Sequence, residues 1–392
     1  MNNILLMKFI QDIRYITKYY KKLITKTKNK EIIGSINEWL VDNYYIISEQ
    51  EKYIRNDFNN KNAKDVKNKK QLYQLIDSCF NESSFKLDFD VLFKKLNDYQ
   101  EQNNYYFTYS EINFIRVAIR LVLISKLSKL CKDLNNRLNV DGSVKELFNR
   151  ISQKIRENDE FELEEYINLK DNMLNNPYYI EQLNYKLKGL GRLSESAFVK
   201  LNELLIRNKV SLKDVIKKSH NEIARDNFLM MNIFNSLKKI AKCKLEYLYE
   251  NISYTEKVLI SEKVNIYSQV YDNNKIEYRN KIIKNAKKLK TTEYQYASDI
   301  VKKANHEKKH IGWYLFNKHN TSLRTIIYIS SIVVFTLLIS FFLARYLGLG
   351  LFLIIIIPIS SLVIEIINQI LMNTVKPTSL FKLKFDNDLP EE

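Results

Sequence analysis

The chain is poor in the residues that break and turn a backbone: 7 glycines and 4 prolines in 392 residues. Sandwiches, barrels and glycine-loop nucleotide folds need many more turn residues, so the scarcity points to long helices with short connections. Cysteine is also scarce. Cys79, Cys131 and Cys243 lie far apart, with no C-x-x-C spacing. That pattern excludes a disulfide framework and a cysteine-built zinc site, and it suits a reducing compartment. No G-x-x-x-x-G-K-[ST], G-x-G-x-x-G or G-x-S-x-G occurs, so P-loop and serine-elbow chemistry lack their usual marks.

Apolar residues make up 45% and charged residues 27%, enough for a packed core rather than a disordered chain. The 62 Lys+Arg against 45 Asp+Glu leave a net charge of +17. A charge of that size bears on partners, not on fold. It fits nucleic acid, an anionic membrane surface, or a lysine- and asparagine-rich composition that decorates every solvated face.

Thr325 to Ala344 is twenty residues without a charge, roughly 30 Å as a helix and so the thickness of a bilayer core. A second apolar stretch runs from Leu347 to Met372, interrupted by Pro358 and ending around Glu365, Asn368 and Gln369. Arg345 and Tyr346 separate the two, which predicts a tight two-span helical hairpin. Lys302, Lys303, Lys308, Lys309, Lys318 and Arg324 precede it, and Lys376, Lys382 and Lys384 follow. The positive-inside rule then puts both flanks in the cytoplasm, together with about 320 N-terminal residues. Glu365, the ionisable residue of the second span, reads as a headgroup-reaching side chain near the helix end or as a polar contact inside a larger bundle.

Residues 1–320 read as helices throughout, giving an all-α class overall. Segment 112–131 is apolar enough to imitate a span, yet Arg116, Arg120, Lys126 and Lys129 recur at helical spacing, so a buried amphipathic helix is expected. In 228–248, Met230, Ile233, Leu237, Ile240, Ala241 and Leu248 form one helical stripe. Thr108-x-x-Glu111, Ser211-x-x-Asp214 and Ser253-x-x-Glu256 have the form of capping boxes. Gly189 and Gly191 predict a break between helical subdomains 1–190 and 191–320, followed by the spans over 321–375 and a tail over 376–392.

Three patterns bear on chemistry. His306-Glu307-Lys308-Lys309-His310 matches H-E-x-x-H, in which two imidazoles one helical turn apart bind zinc and the glutamate acts as base. Two lysines inside it, a polar surrounding helix and no third ligand at a usual spacing favour an accidental match on a solvated helix. Asp88-Phe89-Asp90 and Asp386-Asn387-Asp388 have the Asp-x-Asp form that holds a divalent metal against a sugar-nucleotide diphosphate. The first stands at an expected helix start, where an acid is favourable anyway. The 26 tyrosines and 20 phenylalanines are scattered and read as core and boundary residues.

Several blocks, in order, carry a family resemblance. His310-Ile311-Gly312-Trp313-Tyr314-Leu315 resembles the H-V-G-Y-Y-L-I segment that precedes the early spans of cyclic β-1,2-glucan synthases. Glu38-Trp39-Leu40-Val41-Asp42-Asn43-Tyr44-Tyr45-Ile46-Ile47, with Gln50 and Ile54-Arg55-Asn56-Asp57, is similar to that family's E-W-L-L-D-N-x-Y-L-I opening and its I-R-x-D continuation. Glu250-Asn251-Ile252-Ser253, with Glu256, Leu259, Tyr267, Asp272 and Tyr278-Arg279, resembles E-S-V-S…E…L…Y…D…Y-R. Leu383-Lys384-Phe385-Asp386 and Leu389-Pro390-Glu391-Glu392 resemble L-x-x-L-D-F-x-x-G-I-P-x-E, with Asp388 in place of glycine.

The resemblance covers roughly residues 36–392. It implies the helical, membrane-anchoring part that the family places before its glycosyltransferase domain, inactive by itself. UDP-glucose and a divalent metal are implied only for the full-length family, and neither Asp-x-Asp pair matches its catalytic carboxylates. The implied partners are the lipid bilayer and a catalytic transferase module, with no nucleic acid expected. The implied place is a bacterial-type inner membrane with both termini cytoplasmic. Trp39, Asp42, Tyr44, His310, Gly312, Trp313 and Tyr314 are the contact candidates the motifs single out. A membrane zinc protease using His306, Glu307 and His310, and a non-enzymatic membrane-tethered scaffold, are the competing expectations.

Overall fold

A computed structural model of the chain describes residues 2–31, 33–59, 66, 68–157, 176–316, 323–348 and 352–374. Among the described residues there are sixteen α-helices, one 3₁₀ turn and no strand, so the protein is all-α. It divides into two compact units, 1–253 and 254–392.

The first unit comprises α1 (Asn2–Lys28), α2 (Ser35–Asn59), α3 (Lys69–Glu82), α4 (Phe89–Gln102), α5 (Tyr109–Glu157), α6 (Pro177–Lys188), α7 (Glu195–Arg207), α8 (Leu212–Lys242) and α9 (Leu245–Ile252). At 49 residues and 1.5 Å per residue, α5 is roughly 74 Å long. Helices α1, α2, α3, α8 and α9 pack around it, and α6 packs on both α5 and α8. Its start follows the expected capping box. The backbone N–H of Glu111 donates to Thr108 Oγ1 at 3.3 Å, and the Thr108 N–H donates to the Glu111 carboxylate at 2.9 Å. Ser211 likewise precedes α8, but its side chain makes no capping bond.

The span-like segment 112–131 is the hub of this unit, not a membrane helix. Its apolar residues, from Ile112 through Leu127 to Cys131, are buried by the surrounding helices. Arg120, only 2% exposed, donates to Asp57 at 2.9 Å and lies over the Tyr53 ring. Burial lowers the Arg120 guanidinium to about 10, with Arg116 adding to the fall and Asp57 opposing it. Lys126 pairs with Asp77 at 2.8 Å. The helical stripe of 228–240 is buried as expected, but Leu248 belongs to α9, because the chain leaves the helix at Cys243 and Lys244.

The Gly189–Gly191 break is a turn inside the first unit. Val144, Leu147 and Ile151 of α5 meet Ile180, Leu183 and Leu187 before the turn and Ala197, Leu201 and Leu205 after it in one apolar cluster. The expected boundary at 190/191 therefore falls within a shared core, and the compact units divide at 253/254.

The second unit holds α10 (Tyr254–Ile260), α11 (Ile266–Gln269), α12 (Asp272–Leu289), α13 (Glu293–Glu307), α14 (Ile311–Phe316), α15 (Leu323–Leu347) and α16 (Phe352–Thr374). Helix α13 packs on α10, α12 and α14, and α15 packs on α16. Thr325–Tyr346 and Leu353–Asn373 are long and apolar enough to cross a membrane. The first apolar helix thus runs on through Arg345 and Tyr346, and the turn comes at Gly348, whose φ of +106° strains any residue with a Cβ. Small residues close the helix pair: Ser340 and Ala344 are fully buried, with Thr336 beside them on α15 and Ile359 and Val363 on α16. Tyr328 Oη donates to Asn368 Oδ1 at 2.8 Å. Glu365 is exposed on α16, away from that seam.

The Asp57–Arg120 pair yields a stability test. Asp57→Ala strands a buried guanidinium and is expected to cost about 2 kcal/mol. The double change Asp57→Leu with Arg120→Met should recover most of the loss in a thermal melt.

Candidate functional site

The second unit gathers its ionisable side chains around two buried glutamates. On α12 the spacing of Lys275, Tyr278, Arg279, Ile282 and Ala286 puts all five on the buried face. That face meets Glu256 of α10 and Tyr267 of α11. The Glu256 carboxylate, 0% exposed, accepts from Arg279 Nη2 at 2.9 Å and Nε at 3.2 Å, and from Tyr267 Oη at 2.7 Å. A two-pronged guanidinium–carboxylate contact of this kind fixes orientation as well as charge. Burial, reinforced by Glu256, pushes the Tyr267 hydroxyl well above its usual range.

Glu262 sits in the short link between α10 and α11. Its Oε1 accepts the backbone N–H of Ile311 at 2.6 Å and His310 Nδ1 at 2.7 Å. Its Oε2 accepts the N–H of Tyr267 at 3.2 Å. One carboxylate therefore satisfies the first N–H of α14 and an N–H in the first turn of α11, donors that a helix cannot satisfy itself. Burial alone would raise the Glu262 carboxyl, but His310, Ile311 and Tyr267 together hold it below its ordinary value of 4.5.

The carboxylate requires the proton of a neutral His310 ring on Nδ1, so Nε2 accepts from Tyr278 Oη at 2.9 Å. Tyr278 packs edge-on against Tyr267 and Phe316. Gly312 completes the fit. A Cβ there would lie 2.8 Å from His310 Cδ2 and 3.1 Å from Tyr278 Oη.

A carboxylate, a histidine and a hydroxyl in series are also the parts of a nucleophilic triad. Here the hydroxyl is unsuited to that work. Tyr278 is 3% exposed, and burial, with Glu262 and Glu277 adding to it, pushes its hydroxyl up to about 12. Gly312 and Phe316 fill the space a substrate would need. The arrangement is a clamp that fixes the start of α14, the last helix described before the apolar pair.

Its members come from two of the sequence blocks singled out above: Glu256, Tyr267, Tyr278 and Arg279 from one, His310 and Gly312 from the other. Glu262, which joins them, carries no sequence signal, because it lies in a loop and its partner His310 is 48 residues away.

The remaining candidates lie elsewhere. In the first unit, Trp39 packs edge-on against Phe234, Tyr44 stacks on Tyr20 and bonds Thr17 Oγ1 at 2.8 Å, and Asp42 is exposed. In the second, Trp313 is 51% exposed with Lys309 Nζ over its ring, and Tyr314 is half-buried.

The H-E-x-x-H reading needs His306 and His310 on one helical face. Helix α13 ends at Glu307, and Lys308 turns left-handed at φ +53°, so that spacing is lost. His306 is exposed, His310 faces Glu262 and Tyr278, and Lys309 holds the Glu307 carboxyl below its usual range. Among the described residues, no three His, Cys, Asp or Glu stand together as a metal would need. Asp88 caps α4, accepting the N–H groups of Asp90 and Val91. Asp386 and Asp388 lie outside the described residues. Neither a model of a protein family nor a curated protein matches the chain.

Two measurements probe the clamp. Gly312→Ala should lower stability by about 2 kcal/mol, because the methyl group has no space beside His310. The lowered Glu262 carboxyl means that the unfolded chain binds more protons than the folded one at acid pH. Its stabilising contribution is therefore full above pH 4.5 and fades as the pH falls toward the folded-state value. The gap in melting temperature between the parent and Glu262→Gln should narrow over that acid range and stay constant near neutrality.

Proposed function

We propose that this chain is the membrane-anchoring, accessory part of a cyclic β-1,2-glucan synthase-like glycosyltransferase, and that it has no transferase activity of its own. The observation that carries the reading is the clamp. Two separated blocks that resemble this family meet through the hydrogen bond between Tyr278 and His310, with Gly312 packed close against both. The network stands directly before the apolar helices in the chain, where an anchor needs a fixed exit from its helical body.

The donor sugar nucleotide and its divalent metal find no fitting residues in the described part of the chain. Asp88 is spent on its helix cap, and no acidic cluster replaces it. In this reading the catalytic module is a partner domain or chain, held at the bilayer by this one. The flanking lysines argue for the helical body and both flanks of the hairpin in the cytoplasm, and the family resemblance implies a bacterial-type inner membrane.

Two experiments test this reading. Purified chain in lipid nanodiscs is expected to incorporate no label from UDP-[¹⁴C]glucose, and polymer formation would contradict an accessory role. An impermeant thiol reagent added to spheroplasts should label Arg345→Cys, in the last turn of α15 before the hairpin turns back, but leave Lys303→Cys unlabelled. Labelling at position 303 alone would reverse the orientation.

A further inference from the structure

We infer that the groove between α1 and α2 is a binding site for a compact phosphate-bearing anion with at least two negative charges. The groove is open to solvent and has a volume of about 590 Å³, within the size range of small-ligand sites. Arg14, Lys18 and Lys21 project from one face of α1, at helical spacings of four and three residues, and Arg55 faces them from α2.

Arg55 is already positioned, because Glu51 accepts from its Nε at 2.9 Å and its Nη2 at 2.6 Å. Among the described residues, the side chains of Arg14, Lys18 and Lys21 make no ion pair or hydrogen bond. Four cations thus line the groove against one carboxylate, which is itself engaged. Three like charges brought together without a counter-charge repel one another, and an anion between them relieves that repulsion. Guanidinium forks favour tetrahedral phosphate oxygens over a lone carboxylate, and two or more phosphate charges match the excess. The floor, formed by Ile13, is apolar, so the ligand has room for a non-polar portion beside its charged one. Both a free diphosphate and a lipid phosphate headgroup present this chemistry. The inference does not rest on the family resemblance or on the membrane reading.

The test uses the full chain in nanodiscs of neutral lipid. Titration calorimetry with inorganic pyrophosphate is compared with capture by vesicles containing phosphatidic acid, whose phosphomonoester headgroup carries up to two negative charges. Arg14→Ala/Lys18→Ala/Lys21→Ala is set against Lys213→Ala/Lys217→Ala/Lys218→Ala, which removes the same charge from exposed positions on α8. Loss of about tenfold or more in pyrophosphate affinity in the first variant alone supports a free-phosphate site. Loss of vesicle capture in the first variant alone supports a headgroup site. Equal weakening by both triple variants, or no binding of either probe by the parent, overturns the inference. Lys18→Glu, a single change at an exposed position, gives the same comparison should the triple variant not fold.

Discussion

Polar pairs between a carboxylate and a basic side chain, at least one partner of each buried, are the joints of this structure. Among the described residues most regular backbone hydrogen bonds are spent inside helices, so side chains largely decide how one helix meets the next. Apolar contact holds helices together but is non-directional. Direction comes from a few ion pairs between elements far apart in sequence. Arg120 of α5 meets Asp57 of α2, and Arg137 of α5 meets Asp226 of α8 at 2.8 Å. Within the second unit, Arg279 of α12 meets Glu256 of α10, and a hydrogen bond rather than an ion pair joins His310 to Glu262. Glu262 has the largest reach, since it binds two helix starts and the histidine between α13 and α14.

The shortage of glycine shapes the same places. Helices commonly end on a left-handed residue, which glycine adopts without strain. Here Lys30, Lys209, Lys290 and Lys308, with Asn104, take positive φ instead. Such positions cost of order 1 kcal/mol each and persist where neighbouring contacts fix the chain. At Lys308 those contacts are close by, because two residues later His310 and Ile311 are bound to Glu262. Gly312, one of the few glycines, stands where no Cβ fits.

What could be read in the sequence was local. The all-α class, the apolar pair and the cap of Thr108 on Glu111 each depend on composition, period or a spacing of three residues. The charges of 112–131 correctly separated a buried helix from a span, since Arg120 has a partner in Asp57. What could not be read was non-local or unmarked. The stop after Lys242 has neither glycine nor proline, so Leu248 was assigned to the wrong helix. The stop at Lys308 has none either, which made His306 and His310 look like helical neighbours. Glu262 lies in a loop without a period, and only the folded chain shows what it holds.

The contrast between α5 and the last two helices supports a lipid setting for the latter. The first half of α5 is about as apolar as a span, yet five helices cover it and its guanidinium is paired. Only 11% of each apolar stretch in α15 and α16 is buried, and that part is the seam between them. Their outer faces expose Ile326, Val333, Phe341, Leu353, Ile357 and Ile366. An apolar surface of that extent is far larger than a soluble monomer leaves in water. Hydrocarbon satisfies it without further protein, because a helix bonds its central backbone groups internally, Pro358 removing one such donor from α16. The clamp and the hairpin therefore meet different demands: one fixes the chain with charges excluded from water, the other offers a surface that water cannot cover favourably.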